Sequence, residues 1–295
     1  MHRPSILITG CSSGIGYAAA KALHEQGWLV IAAARGAADV EKLKKEGLNA
    51  VQINLHSSDS ISMALDWVLR TTDGKLNALF NNAGFVVPGA IEDLSRAALA
   101  YQIDACLLGM HELTVGVLQV MRTQGYGRII NNSSVLGYRA IPYQAAYIAS
   151  QFALEGWTDA LRLELWGSGI SVSLLESSAV RTEFWAHGRE NFAAWVNTKT
   201  SIHKLDYLRM LQFWNQDSCC KAAKSPDDVV KVLLRALHDK HPKSRYYVDR
   251  TSRLAAWAKR LLPTSRIDAR VRRLYSSQKI IQNMQTEGIS KTYKK

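Results

Sequence analysis

Two groups of residues in this chain have the types and spacing for chemistry. The first is Thr9-Gly10-Cys11-Ser12-Ser13-Gly14-Ile15-Gly16, which follows an apolar run and opens a helical pattern. Glycines there let the backbone turn sharply, approach an anion and pack a helix close to a strand. The free N–H groups of the helix N-terminus face the same place, so the turn suits a pyrophosphate. The second group is Ser134, Tyr147 thirteen residues later, and Gln151 one helical turn beyond. Carbonyl reduction needs an acid for the forming alkoxide and groups that hold the carbonyl oxygen. Two hydroxyls are suitable types; the amide of Gln151 hydrogen-bonds without carrying charge.

The elements that must position these residues are legible as apolar runs. Ser5 to Thr9, Trp28 to Ala34, Ala50 to Leu55, Leu76 to Asn81, Arg128 to Ser133 and Ile170 to Leu175 read as buried strands. Continuous apolar character rather than alternation predicts a parallel sheet covered on both faces. Helical patterns fall between them, at Tyr17 to Glu25, Ala37 to Glu46 and about Asp93 to Thr123. Such alternation predicts an α/β, doubly wound fold with right-handed crossovers. The regularity breaks over 177–222, rich in Trp, Phe, Tyr and Leu, which reads as an insertion over the sheet. A helix at about Asp227 to Leu237 and a strand at Ser244 to Asp249 then close it.

With 295 residues, 47% apolar and 21% charged, one domain needs neither disulfides nor metal to stay folded. Cys11, Cys106, Cys219 and Cys220 lack Cys-x-x-Cys spacing, which fits free thiols in a reducing compartment. His238 and His241 share a helical spacing and read as a solvated pair; no metal site is expected. No apolar leader precedes Ser5, and no run approaches the roughly 18 to 20 apolar residues of a membrane span, so a cytoplasmic protein is expected. The net charge of +12 is local: residues 1–223 carry 19 basic and 19 acidic residues, and 224–295 carry 18 and 6.

Several ordered motifs carry a family resemblance. The spacing Gly-x-x-x-Gly-x-Gly, Asn81-Asn82-Ala83-Gly84 after the fourth strand, Ser134 with Tyr147, and Val180-Arg181-Thr182 after the sixth strand resemble the short-chain dehydrogenase/reductase family. Arg245-Tyr246 and Leu261-Leu262-Pro263 are similar to its retinol- and hydroxysteroid-dehydrogenase-like members, and the resemblance runs from Ile6 to about Leu262. It implies a Rossmann-type domain over 1–250, a substrate lid at about 177–222, and a basic helical extension over 251–295. It also implies a homodimer built on two long helices.

The resemblance assigns cofactor-binding roles to Gly10, Ser12, Ser13, Gly14, Ile15 and Gly16, and to Asn54, Leu55, Asn82, Ala83, Gly84, Tyr147, Gln151, Val180 and Thr182. A ribose 2'-hydroxyl is usually gripped by an acid at the end of the second strand, whereas a 2'-phosphate needs a cation. Here that strand ends Ala33-Ala34-Arg35. The resemblance therefore implies NADP(H) over NAD(H), with Arg35 as the fork on the phosphate; the alternative is an ordinary surface arginine.

For catalysis the family pattern implies Tyr147 as proton donor and Ser134 as carbonyl partner. A Lys should follow one turn later, to lower the tyrosine pKa and bind the nicotinamide ribose, and an Asn on the long helix should position a relay water. Gln151 stands at the Lys position, and Cys106, within Gln102-Ile-Asp-Ala-Cys106-Leu-Leu-Gly109, at the Asn position. Ser177-Ser178 replaces a Pro-Gly turn. Cys106 reads as a small buried residue rather than a nucleophile. An unperturbed tyrosine titrates near ~10, so about one in a thousand is ionised at neutral pH; reduction suffers less than oxidation.

Phe184, Trp185, Phe192, Trp195, Tyr207, Leu211, Phe213 and Trp214 suit a lid over an apolar ligand or the packing of that lid on the body. In the tail, Leu254, Trp257, Ala258, Leu261 and Leu262 share a helical face, and Ile267, Val271 and Leu274 repeat the spacing among arginines. That face fits packing on its own domain, a second subunit or an anionic membrane surface; no nucleic-acid-binding module accompanies the charge. Two functions fit: an NADP(H)-dependent oxidoreductase on an apolar alcohol or carbonyl compound (steroid-, retinoid- or lipid-like), or an NADP(H)-binding pseudoenzyme that acts as a sensor or docking protein.

Overall fold

The apolar runs form the expected parallel sheet in a computed structural model, which describes residues 3–215 and 223–275. Its strands are β1 (Ser5–Thr9), β2 (Leu29–Ala34), β3 (Asn49–Gln52), β4 (Ala78–Asn81), β5 (Gly127–Ser134), β6 (Ile170–Ser177) and β7 (Arg245–Tyr247). Their order is β3-β2-β1-β4-β5-β6-β7, every neighbouring pair parallel. Most strand bounds shift by one or two residues and β7 is three residues rather than six; two of the differences have a visible cause. β3 stops at Gln52 because the Asn54 N–H leaves the ladder for Ser60 Oγ. β4 starts at Ala78 because the Gln124 side chain takes both backbone groups of Leu76.

Successive strand residues point to opposite faces, and each face has its own core. Ile6, Ile8, Ala32, Phe80 and Leu175 pack with α1 (Gly14–Glu25) and, through Val229 and Leu233, with α9 (Pro226–His238), while α2 (Ala37–Lys45) adds Val40 and Leu43. Leu7, Ile31, Leu79, Ile129 and Val172 pack on the other side with α3 (Ser58–Thr71), α5 (Met110–Gln124) and α6 (Ala145–Glu164). Arg245 ties α6 to the sheet edge, reaching Glu155 at 3.1 Å, Asp159 at 2.8 Å and Glu176 at 3.1 Å. Three carboxylates share that cation. Burial, with Glu155 beside it, pushes Glu176 up to about 8.

The helix expected over Asp93 to Thr123 is not continuous. After a 3-10 turn at Ile91–Asp93 comes α4 (Arg96–Ile103), capped by Ser95, then a π segment at Asp104–Gly109, then α5. Widened π turns gather at functional sites, and this one presents Cys106. Contrary to the expectation that no stretch approaches a membrane span, Arg96–Gln124 is long and apolar enough for one. Its residues Leu113, Val117 and Met121 are fully buried against the sheet, the position of a core helix.

Within the insertion lie α7 (Phe184–Trp195) and α8 (Lys204–Asn215). Polar bonds lock α8 to the body: the Tyr207 hydroxyl donates to Asp93, the Ala90 N–H donates to Tyr207 at 2.8 Å, and the Tyr143 hydroxyl donates to Asp206 at 2.9 Å. The tail forms α10 (Arg250–Leu261) and α11 (Thr264–Tyr275), separated by Pro263. The apolar face of α10 does not pack on its own domain, with Leu254 66% exposed, Trp257 54% and Leu261 71%, while Ser252 and Ala256 are buried instead; in α11 Val271 is buried. The readings of Cys219 and Cys220, of the Phe213 and Leu274 side chains, and of residues 276–295 lie outside the described residues.

Candidate active site

A cavity of about 540 Å³ opens at the carboxyl ends of β1, β4, β5 and β6. It sits where the strand order reverses between β1 and β4, the usual ligand crevice of doubly wound sheets. Gly10 at φ +73° and Gly14 at φ +58° turn the backbone there, in a region that L side chains rarely adopt. A Cβ on Gly14 would lie 2.8 Å from Thr182 Cγ2, and one on Gly16 would lie 2.3 Å from the Gly10 carbonyl oxygen. Ser12, Ser13, Gly14 and Ile15 line the cavity. Gly16 does not, so its part is to let α1 close onto the turn. Thr9 Oγ1 accepts from the Asn82 and Ala83 N–H groups at 3.0 and 2.9 Å, fastening the loop after β4 to the same turn.

Arg35, Asn54, Leu55, Asn82, Ala83, Gly84, Val180 and Thr182 all line this cavity. Arg35 is exposed, and its Nη1 lies 3.4 Å from the Tyr101 hydroxyl. Among the described residues it has no carboxylate partner. An extended basic fork is thus free at the end of β2.

Ser134 ends β5, Tyr147 lies in the first turn of α6 and Gln151 in the next, and Cys106 reaches the same cavity from the π segment. The fold therefore brings together all four residues of the expected set. Ser134 Oγ accepts from the Leu136 N–H at 3.2 Å, which leaves its own hydrogen available at the cavity wall. Burial pushes the Tyr147 hydroxyl far above its ordinary value, the Cys106 thiol beside it adds to the rise, and the Ser134 bond opposes it. Burial also pushes Cys106 up to about 11, so it stays a neutral thiol; Gln102 Nε2 donates to its sulfur at 3.1 Å. Gln151 is 5% exposed and its Oε1 is buried without a hydrogen-bond partner.

A match to the short chain dehydrogenase family model over residues 4–192 decides the affiliation. The chain belongs to the short-chain dehydrogenase family. It is 40% identical to an uncharacterized oxidoreductase, YbbO, of Escherichia coli over 263 residues, covering 88% of this chain and 90% of that one. It is 31% identical to human 17-beta-hydroxysteroid dehydrogenase type 1, over 84% of this chain and 78% of that one. Its fold is similar to that of a short chain dehydrogenase/reductase from Burkholderia phymatum in complex with NAD, with a TM-score of 0.74 and 23% identity, over 88% and 95% of the two chains.

In this short-chain dehydrogenase the Ser177-Ser178 pair also reaches the cavity, held by Ser178 Oγ donating to Asp249 at 2.8 Å. Of the lid aromatics, Phe184, Trp185 and Trp214 line the cavity, whereas Phe192 and Tyr207 pack the lid on Ala90 and Val196. Among the lining residues that escaped the sequence reading are five polar ones, His56, Tyr101, Asn132, Arg139 and Gln144. His56 stacks on Tyr101 at 4.3 Å and bonds Asp104 at 2.8 Å. No local motif announces any of the five. Among the described residues no cluster could hold a metal.

Proposed function

We propose that the chain is an NADP(H)-dependent oxidoreductase acting on an apolar alcohol or carbonyl compound, with turnover biased toward reduction. The observation that carries this reading is that Ser134 and Tyr147 stand together on the wall of a cavity continuous with the glycine turn. The residues fit a dinucleotide: a Cβ-free turn at a helix N-terminus, an Arg35 with no carboxylate partner among the described residues, and the orphaned Oε1 of Gln151 as an acceptor for ribose hydroxyls. A bound nicotinamide supplies or takes the hydride. Ser134 donates to the substrate oxygen and Tyr147 gives its proton to the forming alkoxide. The tyrosinate left behind has no adjacent ammonium, so regaining a proton from solvent is the weakened step.

Steady-state ketone reduction with NADPH over a panel of apolar ketones tests the reading. The replacements at Gln151 and Cys106 favour one rival, a cofactor-binding pseudoenzyme. Tight NADPH binding with no turnover on the panel selects it.

Arg35→Ala separates the two cofactors. Loss of charge-assisted bonds worth about 1.5–3 kcal/mol lowers NADPH affinity roughly tenfold to hundredfold, and the NADPH-to-NADH affinity ratio collapses toward one. Fluorescence titration reads both constants; an unchanged ratio makes Arg35 an ordinary surface residue.

Two surfaces belong to the same proposal. Leu108 and Val115, seven residues apart on the helical run through α5, and Phe152, Leu163 and Trp166, along and just past α6, are exposed, a surface suited to a homodimer. The outward stripe Leu254, Trp257 and Leu261, flanked by Arg253, Lys259 and Arg260, suits an anionic bilayer surface. Replacing Leu254 and Trp257 together by Ser abolishes co-sedimentation with phosphatidylserine vesicles; equal sedimentation of both proteins removes the membrane from the proposal.

A further inference from the structure

Two polar residues on the loop from Ser134 to Tyr147 reach the cavity wall and are not used by the proposed chemistry. Gln144 is 3% exposed, and its Oε1 is buried without a hydrogen-bond partner. Arg139 has its Nε in the same condition, and among the described residues no ion pair takes it. Both residues line the cavity. Three other half-buried guanidinium groups do have partners: Arg128 donates to the Ala236 and Asp239 carbonyls at 2.7 and 2.6 Å, Arg245 binds three carboxylates, and Arg209, whose Nε is also orphaned, pairs through Nη1 with Asp206 at 3.0 Å. Leaving a buried donor unpaired costs about 1–3 kcal/mol, more for a charged one. A ligand group is the natural partner for a cation kept on a cavity wall.

Across the same cavity stand Phe184, Trp185 and Trp214. A compound that meets the guanidinium, the aromatic side chains and the Ser134 and Tyr147 hydroxyls has an apolar body, a reacting carbonyl for Ser134 and Tyr147, and an anionic end for the guanidinium. Glu190, exposed on α7, also lines the cavity, together with His187. Its negative charge disfavours an anion beside it, so the guanidinium is the partner left for an acid. We infer that the substrate is an apolar keto acid or hydroxy acid, its carboxylate held by Arg139, which is then a specificity-determining residue. This rests on the oxidoreductase reading of the same cavity. The reaction balances as before: hydride to the carbonyl carbon, a proton from Tyr147 to its oxygen, and a secondary alcohol as product.

The matched probes are 9-oxodecanoate and 2-decanone, which differ in a carboxylate against a methyl group. With NADPH and the full chain, kcat/KM for the keto acid should exceed that for the ketone by roughly tenfold to hundredfold, the range of one charge-assisted bond. In Arg139→Gln that ratio should fall close to one, and Arg139→Lys, which keeps the charge and loses the fork, should restore part of it. A ratio near or below one in the natural protein, or one that survives Arg139→Gln, overturns the inference. Should neither compound turn over, the oxidoreductase reading fails separately, and calorimetric titration of the NADPH-loaded protein with decanoate still decides. Binding lost in Arg139→Gln supports the carboxylate site; no binding, or binding indifferent to Arg139, overturns it.

Discussion

Replacing Tyr147 by Phe is expected to lower kcat for ketone reduction by about 10² to 10⁴-fold, the usual contribution of a positioned proton donor. The substitution removes one oxygen and leaves the ring, whose T-shaped contact with Phe184, at 5.3 Å between centroids, holds it in the cavity. The loss should fall on kcat, because Ser134 still donates to the carbonyl oxygen and the lid still receives the apolar body. A steady-state comparison with NADPH titrated alongside checks it. If Tyr147→Phe keeps a rate within about threefold of the natural protein, far less than such a donor contributes, Tyr147 is not the acid and the chemistry lies elsewhere.

Gln151→Lys should act in the opposite sense and mainly on alcohol oxidation, which needs a deprotonated tyrosine. In the natural protein burial holds Tyr147 above its ordinary value and nothing cationic offsets it. Reduction should therefore be flat from about pH 6 to about pH 9, because the donor stays protonated there, while oxidation climbs with pH and reaches no plateau. An ammonium one helical turn away favours the tyrosinate and lowers its pKa by about 1 to 3 units, each unit worth about 1.4 kcal/mol. At neutral pH that raises the oxidation rate roughly tenfold to a thousandfold and moves its rising limb to lower pH. Gln151 is almost fully buried, so desolvation lowers the pKa of the new lysine and trims the gain. Unaltered oxidation profiles would sink this account of Gln151. Turnover appearing only in the lysine variant would make the natural chain a pseudoenzyme.

How much of this was legible beforehand differs by element. The sheet was legible because strands buried on both faces read as unbroken apolar runs, and the glycine turn because glycine adopts the φ of Gly10 and Gly14 without the strain other residues carry there. Ser134, Tyr147 and Gln151 were placed by the family resemblance and their spacing, and β5 and α6 deliver them to one wall. The π segment stayed hidden because the apolar spacing of the long helix runs through it and carries no proline. The lid aromatics could not be sorted in advance, since whether Phe192 or Phe184 meets the ligand depends on how Asp93 and Asp206 anchor α8. Arg139 and Gln144 look like ordinary loop residues until their burial without partners is known.

Asp249, which caps α10, holds Ser178 on one side of the cavity, while the Tyr138 hydroxyl, on the loop that carries Arg139, donates to the Ser252 carbonyl at 2.8 Å. The first turn of α10 is thus a clasp between two walls of the crevice, although the rest of that helix faces outward. Shortening the chain from residue 251 therefore unfastens the reaction chamber as well as stripping basic residues, and a tug on the tail is transmitted to the loop that carries the unpaired guanidinium.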